Sequence, residues 1–267
     1  MRKLTILILL LVLSGCSGQS DKEQKEAPLV EKKVMGQPAE KQKDEREMKA
    51  KQEAPLYRVN QNNWTIEPIG SANPKVVLLT IDDAPDKYAL EMAKIFKSEN
   101  VSAIFFVNGQ FLENEENKKM LKEIDQMGFM IGNHTYSHKD LKSLSEEEQK
   151  EEILKVNEMV EKTIGKRPVF FRAPFGSNTD FSRQLIRKEK MSIMNWTYGY
   201  DWEKEYMTKE SLSDVMVNTP MLTNGANILM HDRQWTKEAL SVMVTGLQEK
   251  GYEIIDPKMI ATEQNQE

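Results

Sequence analysis

The chain has 267 residues, a formal net charge of −5, 30% charged residues and a single cysteine. One thiol excludes an internal disulfide framework, and no basic stretch interleaved with aromatics suggests a nucleic-acid partner. Much of the charge sits in one N-terminal stretch, so the net value says little about the part that folds.

Met1-Arg2-Lys3 is a positive start, followed by an apolar run from Leu4 to Leu13. The run is too short to cross a bilayer comfortably and has the form of a secretory signal peptide. It closes on Leu13-Ser14-Gly15-Cys16, small residues ahead of the only cysteine, and so resembles the bacterial lipobox. That resemblance implies cleavage before Cys16, diacylglycerol on its sulfur, and anchoring on the outer face of a bacterial membrane. Acyl chains contribute about 0.8 kcal/mol per buried CH₂, and two or three of them hold a protein stably. Residues 17–56 carry runs such as Lys22-Glu23-Gln24-Lys25-Glu26 and Lys41-Gln42-Lys43-Asp44-Glu45-Arg46. They bury too little to offset their ordering entropy and are expected to form a flexible tether.

Residues 57–260 are of one-domain size, with 261–267 expected to be a polar tail. Lys75 to Ile81 is a continuous apolar run with β-branched residues, expected to be a strand buried on both faces. A helix is expected over Tyr88–Glu99, a strand over Ser102–Val107, a helix over Asn117–Met127 and a short strand over Phe129–Gly132. Ser145 with Glu148 three residues on makes a capping box, and its helix should run to Ile164 and stop at Gly165. The alternation continues with strand Val169–Phe171, helix Asp180–Glu189, strand Ser192–Trp196, helix Lys209–Asn218, strand Ala226–Met230, helix Thr236–Lys250 and strand Tyr252–Ile254. Such regular alternation predicts an α/β fold of parallel strands with crossover helices, either a barrel or a doubly wound sheet.

Polar groups collect after these strands, where barrels place active sites. The first apolar strand leads to Asp82 and Asp83, the third to His134 and His138, the fourth to Arg172, the fifth to Tyr200-Asp201-Trp202 and the sixth to His231-Asp232. All three histidines of the chain therefore fall at the same ends of the predicted strands. Two imidazoles at i and i+4, on one helical turn or a tight loop entering one, can reach one ion, and neutral imidazole suits zinc. Trp202, Tyr200 and Trp235 are candidates for an apolar pocket or a sugar platform. Met191, Met194, Met216, Met221, Met230 and Met243 are expected to fill the core.

Thr80-Ile81-Asp82-Asp83, His134-Thr135-Tyr136-Ser137-His138, Arg172-Ala173-Pro174-Phe175-Gly176, Asp201-Trp202 and Leu229-Met230-His231 resemble the five ordered motifs of the NodB-homology polysaccharide deacetylases, carbohydrate esterase family four. The resemblance covers roughly Lys75 to Asp256. It implies a distorted (β/α) barrel, one divalent metal (usually Zn²⁺, with Co²⁺ as the alternative) and hydrolysis of N-acetyl groups from amino sugars.

Carried over by position, Asp83, His134 and His138 are the implied metal ligands and Asp82 the general base. His231 is the implied acid, Asp201 orients its ring, and Arg172 pairs with Asp82. The backbone N–H of Phe175 is implied to face the oxyanion, and the α-carbon of Pro174 is a site some relatives hydroxylate. Three positions depart from the family pattern, the first being Ile81 ahead of the Asp pair, where relatives usually have phenylalanine. Ala84 follows the Asp pair where relatives usually have glycine, which would be strained if that position needs φ > 0. An acid often found ahead of Asp201-Trp202 is missing, with Gly199 nearby instead. A lipoprotein with this domain points to peptidoglycan as the substrate, its N-acetylglucosamine or N-acetylmuramic acid. Chitin oligomers or a surface poly-N-acetylglucosamine are the alternatives, as is a weakly active or inactive glycan-binding cell-wall lipoprotein. The chain is expected to act as a monomer.

Overall fold

The computed structural model describes residues 54–265. The expected signal peptide, Cys16 and nearly all of the expected tether lie outside these residues. Among the described residues no helix is long and apolar enough to cross a membrane.

The chain enters through a short antiparallel hairpin, β1 (Tyr57–Val59) and β2 (Ile66–Pro68). Strands and helices then alternate as β3 (Val76–Ala84), α1 (Ala89–Ser98), β4 (Ile104–Val107), α2 (Glu115–Gln126), β5 (Met130–Asn133), α3 (Glu146–Ile164), β6 (Phe170–Phe171), α4 (Asp180–Lys188), β7 (Ser192–Ile193), α5 (Lys209–Asn218), β8 (Ala226–His231), α6 (Gln234–Glu249) and β9 (Glu253–Ile254). The sheet is parallel throughout, in the order β7-β6-β5-β4-β3-β8, with β9 beside the start of β3. Of the two architectures left open by the alternation, the structure is the barrel-like one. After β7 the chain crosses to β8, where Thr197 N donates to Asn227 O at 2.8 Å and Leu229 N to Tyr198 O at 2.9 Å. These bonds bring the two ends of the sheet together and curl it into a half-barrel.

Alternation along β3 explains how the site is built. Val77, Leu79 and Ile81 face the helices, whereas Val76 and Leu78 join the inner cluster with Ile104, Phe106, Phe170 and Met194. With a period of two, the inner face of β3 continues through Thr80 to Asp82. The inner faces of β6 and β8 run likewise, from Phe170 to Arg172 and from Asn227 through Leu229 to His231. The interior is therefore apolar at the start of the strands and ionisable at their carboxyl ends. The hairpin closes the apolar end: Tyr57 and Ile66 are buried in the inner cluster, and Ile66 N donates to Gly225 O at 2.7 Å.

Helix α3 starts at the expected capping box of Ser145 and Glu148 and stops at Gly165, whose φ of 73° is one glycine adopts without a Cβ clash. Four expectations need correction. The first strand extends past Ile81 to Ala84, so the Asp pair lies within it. The strand from Ser192 ends at Ile193, because the following residues turn away to reach β8. The polar tail begins later than residue 261: Ala261 and Thr262 are buried, and Ala261 N donates to Tyr57 O at 2.7 Å. Met221 is also not a core residue, being 49% exposed, whereas Met191, Met194, Met216, Met230 and Met243 are buried as expected.

Candidate active site

Asp82 and Asp83 are sent to the same cavity by different means. Asp82 points inward by strand alternation and is only 2% exposed. Asp83 would point outward by the same rule, but its backbone is left-handed, with φ 61°, which swings the carboxylate back over the barrel mouth. Aspartate tolerates this region better than most residues, and such conformations concentrate at functional sites. The strain anticipated at Ala84 is absent, because the left-handed residue is Asp83 itself.

His134 and His138 leave β5 on a loop rather than a helical turn, shaped by left-handed Thr135 (φ 66°) and His138 (φ 58°). Asn108 Nδ2 donates to His134 O at 2.6 Å, and Asn133 Oδ1 accepts from Thr135 N at 2.9 Å. The buried Glu152 of α3 accepts from Ser137 N at 2.8 Å and Ser137 Oγ at 2.5 Å. His134 Nδ1 lies 2.7 Å from Arg172 O. A carbonyl only accepts, so that nitrogen carries a proton, and in the neutral ring Nε2 is then the atom left to bind an ion.

The histidine Nε2 atoms face the acids. Asp83 Oδ1 is 3.6 Å from His138 Nε2 and 4.0 Å from His134 Nε2, and Asp82 Oδ2 is 3.4 Å from His134 Nε2. Ligand atoms of Asp83, His134 and His138 all lie within 4.8 Å of one another. These residues fit a divalent cation chemically as well as spatially. Burial and the neighbouring His134 hold the His138 imidazole below its usual range, against the pull of the two aspartates, so the neutral ligand form is favoured. Burial opposes charge on Asp83, but His134, His231, His138 and Arg233 together outweigh it and lower its pKa, favouring the carboxylate.

Opposite this cluster stands a second one. His231 Nδ1 is 2.7 Å from Asp201 Oδ1, and Asp201 Oδ2 accepts from His231 N at 2.6 Å and from Thr236 Oγ1 at 2.7 Å. Asp201 thus holds both the ring and the backbone of His231. Burial works against charge on His231, but the adjacent Asp201 overcomes it and raises the pKa above the ordinary histidine value. Arg172 lies beneath, fully buried, with Nη1 donating to Asp82 Oδ1 at 2.7 Å and Thr80 Oγ1 at 2.8 Å.

Both clusters open into one pocket of about 550 Å³. Phe175, 68% exposed and left-handed, stands at its mouth with its ring centroid 5.1 Å from that of His138. Trp202 faces the His231 ring edge-on at 5.4 Å. Trp235 lines the same pocket and donates through Nε1 to Asp201 O at 2.7 Å. Tyr200, expected beside the substrate, is outside the lining; it packs on Tyr198 and Tyr206 and bonds Thr219 Oγ1 at 2.7 Å. Gly199 has a steric reason: a Cβ there would sit 2.4 Å from Leu229 O. Trp196 and Arg233, which no sequence motif marks, also line the pocket. Arg233 follows His231 by two residues, and that adjacency was the one signal available.

Fold and site together define a class: a parallel (β/α) half-barrel carrying, at the carboxyl ends of its strands, a cation-type Asp-His-His cluster facing an Asp–His pair. Residues 69–194 match the family described as polysaccharide deacetylase. A Bacillus cereus peptidoglycan-N-acetylglucosamine deacetylase is 30% identical over 203 residues, covering 72% of this chain and 71% of the relative. An uncharacterised Bacillus subtilis protein, YlxY, is 33% identical over 193 residues, covering 70% of this chain but only 58% of that protein. Among solved structures, Bacillus anthracis BA3943, described as a CE4 family pseudoenzyme, has a TM-score of 0.63 at 30% identity, covering 72% of this chain and 69% of that one. The chain belongs to the polysaccharide deacetylase family.

Proposed function

We propose that the protein is a metal-dependent hydrolase that removes N-acetyl groups from amino-sugar polymers, with peptidoglycan N-acetylglucosamine or N-acetylmuramic acid as substrate. The observation that carries this reading is the Asp83-His134-His138 cluster facing the Asp201–His231 pair across one pocket. Asp83, His134 and His138 would hold the ion, Zn²⁺ or Co²⁺, which when bound supplies a Lewis acid and lowers the pKa of water. Asp82, held by Arg172, accepts the proton of the attacking water. His231, in its protonated form, donates to the departing sugar nitrogen. The N–H of Phe175 faces the developing oxyanion, and Trp202 with Phe175 packs on the sugar.

A second reading is a glycan-binding wall protein without catalysis, favoured by the likeness to a described pseudoenzyme. Against it stands the full set of candidate ligands and proton carriers in this chain. Acetate release decides between them. The purified protein should release acetate from peptidoglycan or N-acetylglucosamine oligomers, stop with a chelator, and resume with Zn²⁺ or Co²⁺. Glycan binding without metal-dependent acetate release on any of these polymers selects the second reading.

The Asp201–His231 pair predicts a pH effect with a defined sign. Asp201 raises the pKa of His231, so the acid form persists to higher pH than in a free imidazole. In Asp201→Asn that charge is gone, and burial, which pushes the pKa down, is opposed only by the weaker pull of Asp82 and Asp83. The alkaline limb of kcat should therefore move to lower pH. A pH–rate profile with its alkaline limb in the wild-type position would remove His231 from the acid role.

The site would work at the outer membrane face, tethered through Cys16 by residues 17–56, with the folded part acting as a monomer. Cys16→Ala, expressed in a Gram-positive host, should leave the membrane fraction for the medium or accumulate as precursor. Unchanged fractionation and lipid labelling would rule the anchor out.

A further inference from the structure

Asp83 is the candidate ligand that the strand alone would misdirect, and the chain segment after β8 contacts it. Arg233 Nη2 donates to Asp83 Oδ2 at 2.8 Å, while Nη1 donates to Asp232 O at 3.1 Å. The other carboxylate oxygen, Oδ1, is the one that faces His138 and His134. The two oxygens thus have separate partners.

Asp232 braces the same turn from below. It is 1% exposed and accepts the backbone N–H groups of Asp86 and Lys87 on Oδ2 at 2.8 and 3.0 Å and of Tyr88 on Oδ1 at 2.5 Å. Its own N–H donates to Asp82 O at 3.1 Å. The segment His231-Asp232-Arg233 therefore supplies the proposed acid and reaches the backbone after the Asp pair and the Asp83 carboxylate within three residues.

We infer that Arg233 is a positioning residue for metal binding: its guanidinium holds Asp83 Oδ2 and leaves Oδ1 as the single ligand atom. The inference rests on the metal-dependent reading given above. The Arg233 side chain is 38% exposed, and such solvent-screened pairs add little to folding stability. Its contribution should therefore appear in metal affinity. Groups that orient metal ligands typically change affinity or activity by about 10- to 100-fold when lost.

The test is Co²⁺ and Zn²⁺ titration of the full chain, followed by calorimetry and by the visible Co²⁺ spectrum, for wild type, Arg233→Met and Arg233→Lys. Arg233→Met should bind each ion about 10- to 100-fold more weakly, with an altered Co²⁺ spectrum and an unchanged melting temperature of the metal-free protein. Arg233→Lys should fall in between, since it keeps a cationic donor without the planar fork. Affinities and spectra equal to wild type in both variants overturn the inference. If Arg233→Met folds poorly, Arg233→Lys decides alone: affinity and spectrum equal to wild type overturn it, and an intermediate affinity supports it. Failure of the wild type to bind either ion overturns the metal reading itself, and this inference with it.

Discussion

Asp82→Asn is expected to keep metal affinity near wild type while turnover falls by about 10²- to 10⁴-fold, the usual worth of a general base. The amide is nearly isosteric with the carboxylate, and its oxygen can still accept from Arg172 Nη1, which lies 2.7 Å from Oδ1. What it cannot do is take a proton from water. Asp83→Ala should behave differently, losing metal and activity together, because it removes one of the three candidate ligands, whose ligand atoms lie within 4.8 Å of one another. The contrast is demanding, since Asp82 Oδ2 is nearer to His134 Nε2, at 3.4 Å, than Asp83 Oδ1 is, at 4.0 Å. Only Asp83 also approaches His138, at 3.6 Å, and Asp82 already has one oxygen committed to Arg172. Elemental analysis beside the rate of each variant settles the division: metal lost in Asp82→Asn but retained in Asp83→Ala would reverse the two roles.

The strand order of polar residues was legible in the chain because β-strand alternation and chain order are local properties. The run from Val76 to Ile81, the capping box at Ser145 and the stop at Gly165 each follow from residues within a few positions of one another. Backbone handedness was not legible. Asp83, Thr135, His138 and Phe175 all have positive φ without being glycine, and nothing in their identity announces it. The left-handed residue is Asp83, one position before the Ala84 where a glycine pattern would place it. Long-range pairings were equally hidden: the Arg233–Asp83 ion pair joins residues 150 apart in sequence. The hairpin of Tyr57 and Ile66 was missed because each of its strands has three residues, too few to show alternation. Tyr200 shows the converse error. Its neighbour Asp201 enters the site, and a tyrosine beside it can face either the pocket or the core; here it faces Tyr198 and Tyr206.

Arg172→Met is expected to produce the largest loss of stability of any single change in the site. The guanidinium is fully buried and uses its whole fork: Nε donates to Met194 O at 3.2 Å, Nη1 to Thr80 and Asp82, and Nη2 to Asn195 O at 2.9 Å. Its carbon lies 4.3 Å from the Phe106 ring centroid, so methionine can fill part of the space but satisfies none of these acceptors. Removing one partner of a buried ion pair costs about 3–5 kcal/mol, chiefly because the other charge is left unpaired. At roughly 2–4 °C per kcal/mol for a domain of this size, the melting temperature should fall by about 10 °C. Arg172→Lys should recover only part of it, since an ammonium cannot reproduce the fork. The mechanism of the loss can be isolated by a double variant. If the stranded Asp82 carboxylate is the cause, Asp82→Asn in the Arg172→Met background should raise the melting temperature, even though Asp82→Asn alone does not. Losses that simply add would instead place the effect in the stranded carbonyl of Met194, since Asn195 O keeps the Nδ2 of Asn227 at 2.9 Å, with Arg172 acting as a core bracket between β6 and the chain that closes the barrel.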